Sequence, residues 1–306
     1  IEYWAPKVDW TVMRAEVITI APEDRCTFTV RDVLEDLEGV NAPQIWKRRF
    51  WATPRDWRLI DRLSAYPPLQ EHVRRVHEKN ATKPWVMAVG FQPVTEGDDP
   101  AKAETIKLPN NYFISASSPN LDLFLLENEV SRLPAAEVTV RSGSNKSTEV
   151  FNGPHVLVAK GFTSTAFVDF SCSFQDAVRG ISGPVEDRDL LIFLMAYLRS
   201  GLARYFLFHT SSSWGVSRQV VHVDEILRLP FPLPASQTDA KACRKIIREV
   251  SEIVTSAAQR ASTQWSDRAE IVRLTDAEIE PLVDRYFDIL PIEKVLIEDT
   301  VNVIIP

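Results

Sequence analysis

Between Trp46 and Arg58 the chain reads Trp-Lys-Arg-Arg-Phe-Trp-Ala-Thr-Pro-Arg-Asp-Trp-Arg, five basic and four aromatic residues in thirteen positions. Arginine and lysine neutralise phosphates, and aromatic rings stack on bases or order guanidinium groups. Lys47, Arg48, Arg49, Arg55 and Arg58 are therefore candidate phosphate contacts. The same spacing also fits an amphipathic helix with a solvated basic face and its tryptophans in the core. A second stretch, Thr210-Ser-Ser-Ser-Trp-Gly-Val-Ser-Arg218, is a small polar segment with one aromatic and one arginine. Hydroxyls and main-chain N–H groups suit phosphate oxygens, and arginine suits a phosphate or a guanine edge. Its plainer alternative is a surface loop with Trp214 tucked inward. Acid–base chemistry has no such focus. The carboxylates follow helix-surface spacing, there is no G-x-S-x-G, and His155 and His209 read as structural. No catalytic residue is nominated.

The charge of the chain is segregated. Its 306 residues carry 35 Lys+Arg against 42 Asp+Glu, a formal net charge of −7. Residues 1–40 hold 4 basic and 9 acidic residues, whereas residues 41–85 hold 10 basic and 4 acidic. A basic surface is thus expected inside an acidic protein. There are only 10 glycines, none in a G-x-G arrangement, which excludes the dinucleotide fingerprint and the phosphate-cradling P-loop. Cys26, Cys172 and Cys243 show no C-x-x-C and no disulfide framework, so a reducing, cytoplasmic setting is expected. The five histidines lack metal-ligand spacing, and no metal site is expected. Apolar runs such as Leu190–Leu198 are far short of the ~20 residues that span a bilayer, and no signal peptide is evident. The chain begins with Ile1, so a piece of a longer polypeptide is as natural an expectation as processing.

The elements that must position these residues form an α+β pattern. Short strands are expected at Ala15–Ile20 and Cys26–Val30, with a helical start at Thr29-Val-Arg-Asp. Residues 43–80 read as helices, one starting near Pro54 and another carrying Leu69, Val73 and Val76 beyond the Pro67-Pro68 break. Residues 85–178 are β-rich, with strands at Trp85–Val89, Tyr112–Ser115, Ala136–Val140, His155–Ala159 and Ala166–Phe170. A single helix is expected over 186–208 with Asp187 near its cap, then a strand at Val220–Val223. Leu229-Pro-Phe-Pro-Leu-Pro234 must leave regular structure. Helices follow at 239–265 and at 276–287, the last capped by Asp276 or Thr275. This gives a helical connector (1–84) with the basic segment, a recognition-like α+β domain (85–238) and C-terminal helices (239–306).

From Asn152 onward the order of features resembles a known family. Gly153-Pro-His-Val-Leu-Val-Ala-Lys-Gly161 leads to Phe167-Val-Asp-Phe, then Ile181-Ser-Gly, the apolar helix Leu190 to Tyr205, the loop Ser211 to Arg218, and Val223-Asp-Glu-Ile-Leu-Arg-Leu-Pro-Phe-Pro-Leu-Pro234. This is similar to the C-terminal target-recognition region of adenine-N6 DNA methyltransferases of restriction–modification and phage-defence systems. Ile279-Glu-Pro-Leu-Val-Asp-Arg-Tyr-Phe-Asp-Ile-Leu with Glu298-Asp-Thr resembles that family's closing helix. The resemblance covers about residues 150–306. Pro43-Gln-Ile-Trp-Lys-Arg-Arg49 resembles the connector after the catalytic domain. One departure is decisive. The family's N-P-P-[YF] loop, which holds the flipped adenine, has only Tyr66-Pro-Pro-Leu69 as a look-alike, and the glycine-rich loop for S-adenosylmethionine is missing.

The resemblance therefore implies specificity without chemistry: a double-stranded DNA recognition module with no cofactor in this chain. S-adenosylmethionine belongs to the parent enzyme, whose catalytic domain lies upstream or on another subunit. The expected DNA contacts are Lys47, Arg48, Arg49, Arg55 and Arg58 on the connector, with Lys160, Ser212, Ser213, Trp214 and Arg218 on the recognition domain. Two rival expectations stand beside this one. The first is an assembly scaffold without direct DNA binding, whose long C-terminal helices join subunits. The second is a self-contained hydrolase with an unrecognised site.

Overall fold

A computed structural model describes residues 2–4, 20–32, 34, 47, 51–78, 82–115, 121–212, 214–215 and 220–305. Its first long helix, α1 (Pro54–Ser64), starts where the local chemistry requires. Pro54 stands in the first turn, Thr53 Oγ1 accepts from Asp56 N–H, and Asp56 Oδ2 accepts from Thr53 N–H at 2.7 Å. This reciprocal cap satisfies two otherwise orphaned donors. The helix buries Leu59, Ile60 and Leu63. Pro67 and Pro68 then end helical structure, and the expected second helix does not form. Residues 69–71 make a single 3-10 turn, and Val73–Arg75 form strand β1, because Val73 pairs with Trp85 in parallel register. Tertiary pairing outweighs the helical spacing of these apolar residues.

Five further strands complete a mixed sheet: β2 (Trp85–Val89), β3 (Leu123–Phe124), β4 (His155–Ala159), β5 (Thr165–Val168) and β6 (Val178–Ser182). Their spatial order is β1-β2-β6-β4-β5-β3. The outer pairs are parallel and the inner pairs antiparallel. In that register Val158 lies between Thr165 of β5 and Arg179 of β6. Both faces of the sheet are covered, so the period-two alternation of side chains feeds two cores. Met87, Val156, Val158 and Ile181 face the helices. Val86, Ala88, Leu157 and Val178 face a second cluster around Phe91, Phe151 and Phe174. Ile106, Ile114 and Val140, from the small sheets on that side, join this second cluster.

Against the first face pack α2 (Arg188–Arg199) and α3 (Gly201–Thr210), where one helix was expected. The two halves are bent by 63°. Ser200 is extended, and its hydroxyl caps α3 by accepting from Ala203 N–H. Asp187 does not cap α2; its carboxylate accepts instead from Trp85 Nε1 at 2.8 Å. Among the described residues no single helix is long and apolar enough to cross a membrane.

The expected strand at 220–223 is replaced by a short helix, α4 (Val223–Leu227), whose Glu225 carboxylate reaches back to His222 N–H. Residues 229–234 run as an irregular strap, as their prolines demand. Leu229 O accepts from Leu69 N–H, and Pro67 O from Phe231 N–H, both at 2.8 Å. Phe231 is fully buried among Trp85, Phe193 and Tyr197.

The expected helix over 239–265 forms as α5 (Ala240–Thr263), and Asp239 caps it. The next helix, α6 (Arg268–Tyr286), begins two turns before the expected start. Neither Thr275 nor Asp276 caps it: Thr275 is buried and donates to Ile271 O, while Asp276 binds Arg199. Finally, α7 (Pro291–Asp299) closes over α1 through Arg62, which donates to Glu293 and to Phe287 O. The architecture is α+β. Leu59, Val156, Val250 and Val283, from all three segments expected in the sequence, share one apolar cluster.

Candidate nucleic-acid interface

The basic residues of the first stretch divide sharply by environment. On α1 the core side is fixed by Leu59, Ile60 and Leu63, and by Asp56, whose Oδ1 accepts from Tyr205 Oη at 2.9 Å. Arg55 and Arg58, three residues apart and so on one helical face, are both exposed. Their guanidinium groups are placed to meet an anion from solvent. Arg62, one turn on, is committed to Glu293. Arg48 and Arg49 lie outside the described residues.

Lys47 is a correction to the expected contact set. It is 6% exposed, and its ammonium donates to Trp214 O at 2.6 Å and to Ser211 Oγ at 3.1 Å, 4.7 Å above the Phe208 ring. Burial pushes its pKa down to about 7, opposed only by the charge of Glu225. An ammonium held this way braces the end of α3 and does not reach a phosphate.

The serine loop divides in the same way. Trp214 is 2% exposed, donates Nε1–H to Gly161 O at 2.9 Å and packs edge-on against Phe162. It is an anchor that holds the loop on the β4–β5 turn, not a surface for a base, so the inward alternative is the one realised. Gly215 has φ +75°, and a Cβ there would meet the Phe208 ring at 2.9 Å, so the close turn requires glycine. Ser212 is exposed, but both its N–H and its hydroxyl donate to Glu225 Oε1, at 2.6 and 2.8 Å. With its one proton committed, it offers an incoming group lone pairs and no donor, which does not suit a phosphate. Ser213 and Arg218 lie outside the described residues. Lys160 is exposed at the end of β4, where its backbone pairs with Ala177 O and Val221 N–H.

These pieces converge on α3. Trp51 packs on Phe208 and Asp56 binds Tyr205, so the N-terminal end of α1 lies against the helix whose C-terminal end carries Ser211 to Gly215. Among the described residues, Arg55 and Arg58 on one side, and Lys160 on the other, are the expected cations that this arrangement leaves exposed.

Sequence reasoning missed a buried charge cluster directly beneath the loop. Glu225 is 5% exposed, and its field acts on Lys47, Arg179 and Arg228. Burial lowers the pKa of both arginines, with Glu225 opposing the shift in each. A signal existed for Arg179. Strand alternation in Val178-Arg-Gly-Ile-Ser places it on the inward face with Ile181.

Beside the loop opens a cleft of about 650 Å³, lined by Gly161 to Thr165, Arg199, Arg204, Asp122 and Asp276 among others. Arg199 crosses its floor, donating to Asp122, to Asp276 and to Thr165 O. Burial would lower its pKa, but those carboxylates more than offset it and hold the guanidinium above its ordinary value. Neither His155 nor His209 offers a base, since both are fully buried. Burial lowers the pKa of His155 to about 4, and its ring nitrogens meet Val150 O and Cys172 Sγ.

No family model matches the chain, and no curated protein matches it. Among solved structures it is similar to an HsdS subunit from Thermoanaerobacter tengcongensis, at 12% identity and a TM-score of 0.29, over 84% of this chain and 56% of that one. It is also similar to a chain from a study of complex assembly and conformational transition of the type I R-M system, at 13% identity and a TM-score of 0.27, over 84% and 57%. The chain thus spans a little over half the length of each. Both likenesses are weak, and the chemistry of the site stands on its own residues.

Proposed function

We propose that this chain is the double-stranded DNA recognition module of a restriction–modification or phage-defence protein of the adenine-N6 methyltransferase type, acting in the cytoplasm. The observation that carries the reading is the placement of Arg55 and Arg58. They project from the exposed face of a helix whose other face is locked into the core, inside the one basic segment of an acidic chain. The ordered motifs from Asn152 to Thr300 support it independently. Arg55, Arg58 and Lys160 hold the duplex by its phosphates and set its register. Base reading falls to loops of the recognition-like domain. The methyl donor, S-adenosylmethionine, and the groups that hold the target adenine belong to a catalytic domain upstream or on another subunit. This chain contributes affinity and orientation to that reaction and no step of its own.

The test is a salt titration of duplex binding with Arg55→Ala/Arg58→Ala. Each lost phosphate contact removes about one unit from the slope of log affinity against log salt, so a loss of about two units is expected. An unchanged slope would overturn the assignment. A scaffold reading has one observation in its favour, the exposed Leu290, Ile292 and Val295 around α7. It requires that the parent protein show no salt-sensitive retention of random duplex.

A further inference from the structure

Arg179 is 5% exposed, and two of its donor nitrogens, Nε and Nη1, are buried without a hydrogen-bond partner. Orphaned guanidinium donors are rare in a folded interior, and each calls for a reason. Two half-buried arginines elsewhere in the molecule are fully partnered. Arg199 is shared by Asp122, Asp276 and Thr165 O, and Arg268 by Glu129 and two backbone carbonyls. Arg179 receives no such partner although carboxylates are near. Glu225 acts on it only through space, its oxygens turned to Ser212 and to His222 N–H. Asp176 also acts through space, and one of its oxygens accepts from Gln92. Lys47 and Arg228 add to the positive side of the same cluster.

The position of Arg179 gives the orphan a use. It lies two residues beyond Ala177, whose carbonyl accepts from Lys160 N–H, and it faces Val158 across β4. Lys160 and Arg179 therefore flank the same end of the same strand pair, one exposed and one buried. A planar fork of donors suits an anion with several oxygens, and a phosphate offers these at any rotation. Building on the DNA reading above, we propose that Arg179 is a positioning residue for the duplex. Together with Lys160 it takes one backbone phosphate, and Glu225 partly balances its charge in the free protein.

The test pairs Arg179→Met with Arg55→Ala/Arg58→Ala in the full chain, using a random duplex in a salt titration and thermal unfolding without DNA. Methionine fills the same space without unmet donors. Arg179→Met should bind duplex about tenfold more weakly, with a slope lower by about one unit, and melt no lower than the parent. Unchanged affinity and slope in Arg179→Met, with a flattened slope in Arg55→Ala/Arg58→Ala, would overturn this inference and leave the DNA reading standing. No duplex binding by the parent chain would overturn both. If Arg179→Met melts well below the parent, Arg179→Lys decides. It keeps the charge and loses the fork, so reduced duplex affinity in a normally melting protein supports the proposal and full affinity overturns it. Sulfate gives a second readout: it should raise the melting temperature of the parent more than that of Arg179→Met, and equal shifts would count against the site.

Discussion

Two arginines, Arg179 buried and Arg199 half-buried, stand on either side of Val158. Arg199 reaches the Thr165 side and is saturated by two carboxylates and a carbonyl, whereas Arg179 on β6 has two donors with no partner. Burial lowers the pKa of Arg179, but the carboxylates beside Arg199 outweigh burial and raise it. The same residue type in one sheet end thus serves two purposes. Around Arg199 the charges are matched within the fold, and the result is a tie between α2, α6 and the start of β3. Around Arg179 the carboxylates of Glu225 and Asp176 act only through space and leave its Nε and Nη1 without a partner. Breaking a matched buried pair is costly, whereas removing a donor that is buried without a partner also removes its desolvation cost.

The comparison is broken most directly by Arg199→Met. It should cost about 3 kcal/mol, the low end of the range for breaking a buried pair, because Asp122 and Asp276 are partly exposed. Chemical denaturation measures it, and a loss below about 1 kcal/mol would mean that the tie is not structural. Glu280, one turn beyond Asp276 on α6, extends the same region. Burial pushes its pKa up to about 7 while its Oε1 accepts from Gly201 N–H at 2.9 Å. The folded state therefore holds a proton that the unfolded state releases between about pH 4.5 and 7. Stability should fall as pH rises through that window and level off above it, by about 1–2 kcal/mol after screening. In Glu280→Gln the decline should disappear, as read from unfolding midpoints across pH. Asp276→Asn leaves Arg199 with Asp122 and Thr165 O, so about 1 kcal/mol is expected. The smallest effect sharpens the contrast. Arg179→Met should change stability by less than about 1 kcal/mol, with the sign favouring the variant. A loss equal to that of Arg199→Met would erase the distinction between the two sites.

Legibility in the sequence followed the range of the interactions involved. The helix start near Pro54, the helix from residue 239 and the strand cores from Trp85 and His155 were readable, because each is set by residues within a turn or two or by alternation. The exposed Arg55 and Arg58 were readable for the same reason. The helical reading of Leu69 to Val76 failed because the strand depends on Trp85, which becomes a partner only after the Pro67-Pro68 corner. The break at Ser200 lies between two apolar runs that continue one helical stripe, and the start of α6 is hidden because Asp276, a good cap by type, is the partner of Arg199, 77 positions away.

Composition, charge segregation and local spacing thus determined the α+β class, the basic helix and the absence of nucleotide-binding glycine loops. Only the tertiary structure decided which cations face solvent. Lys47 and Trp214 have the residue types of a DNA contact, but α3 and the β4–β5 turn draw both inward, and Arg179 becomes notable only through the partners it lacks. Residue type sets what a side chain can bond to, and packing sets which bonds remain to be made.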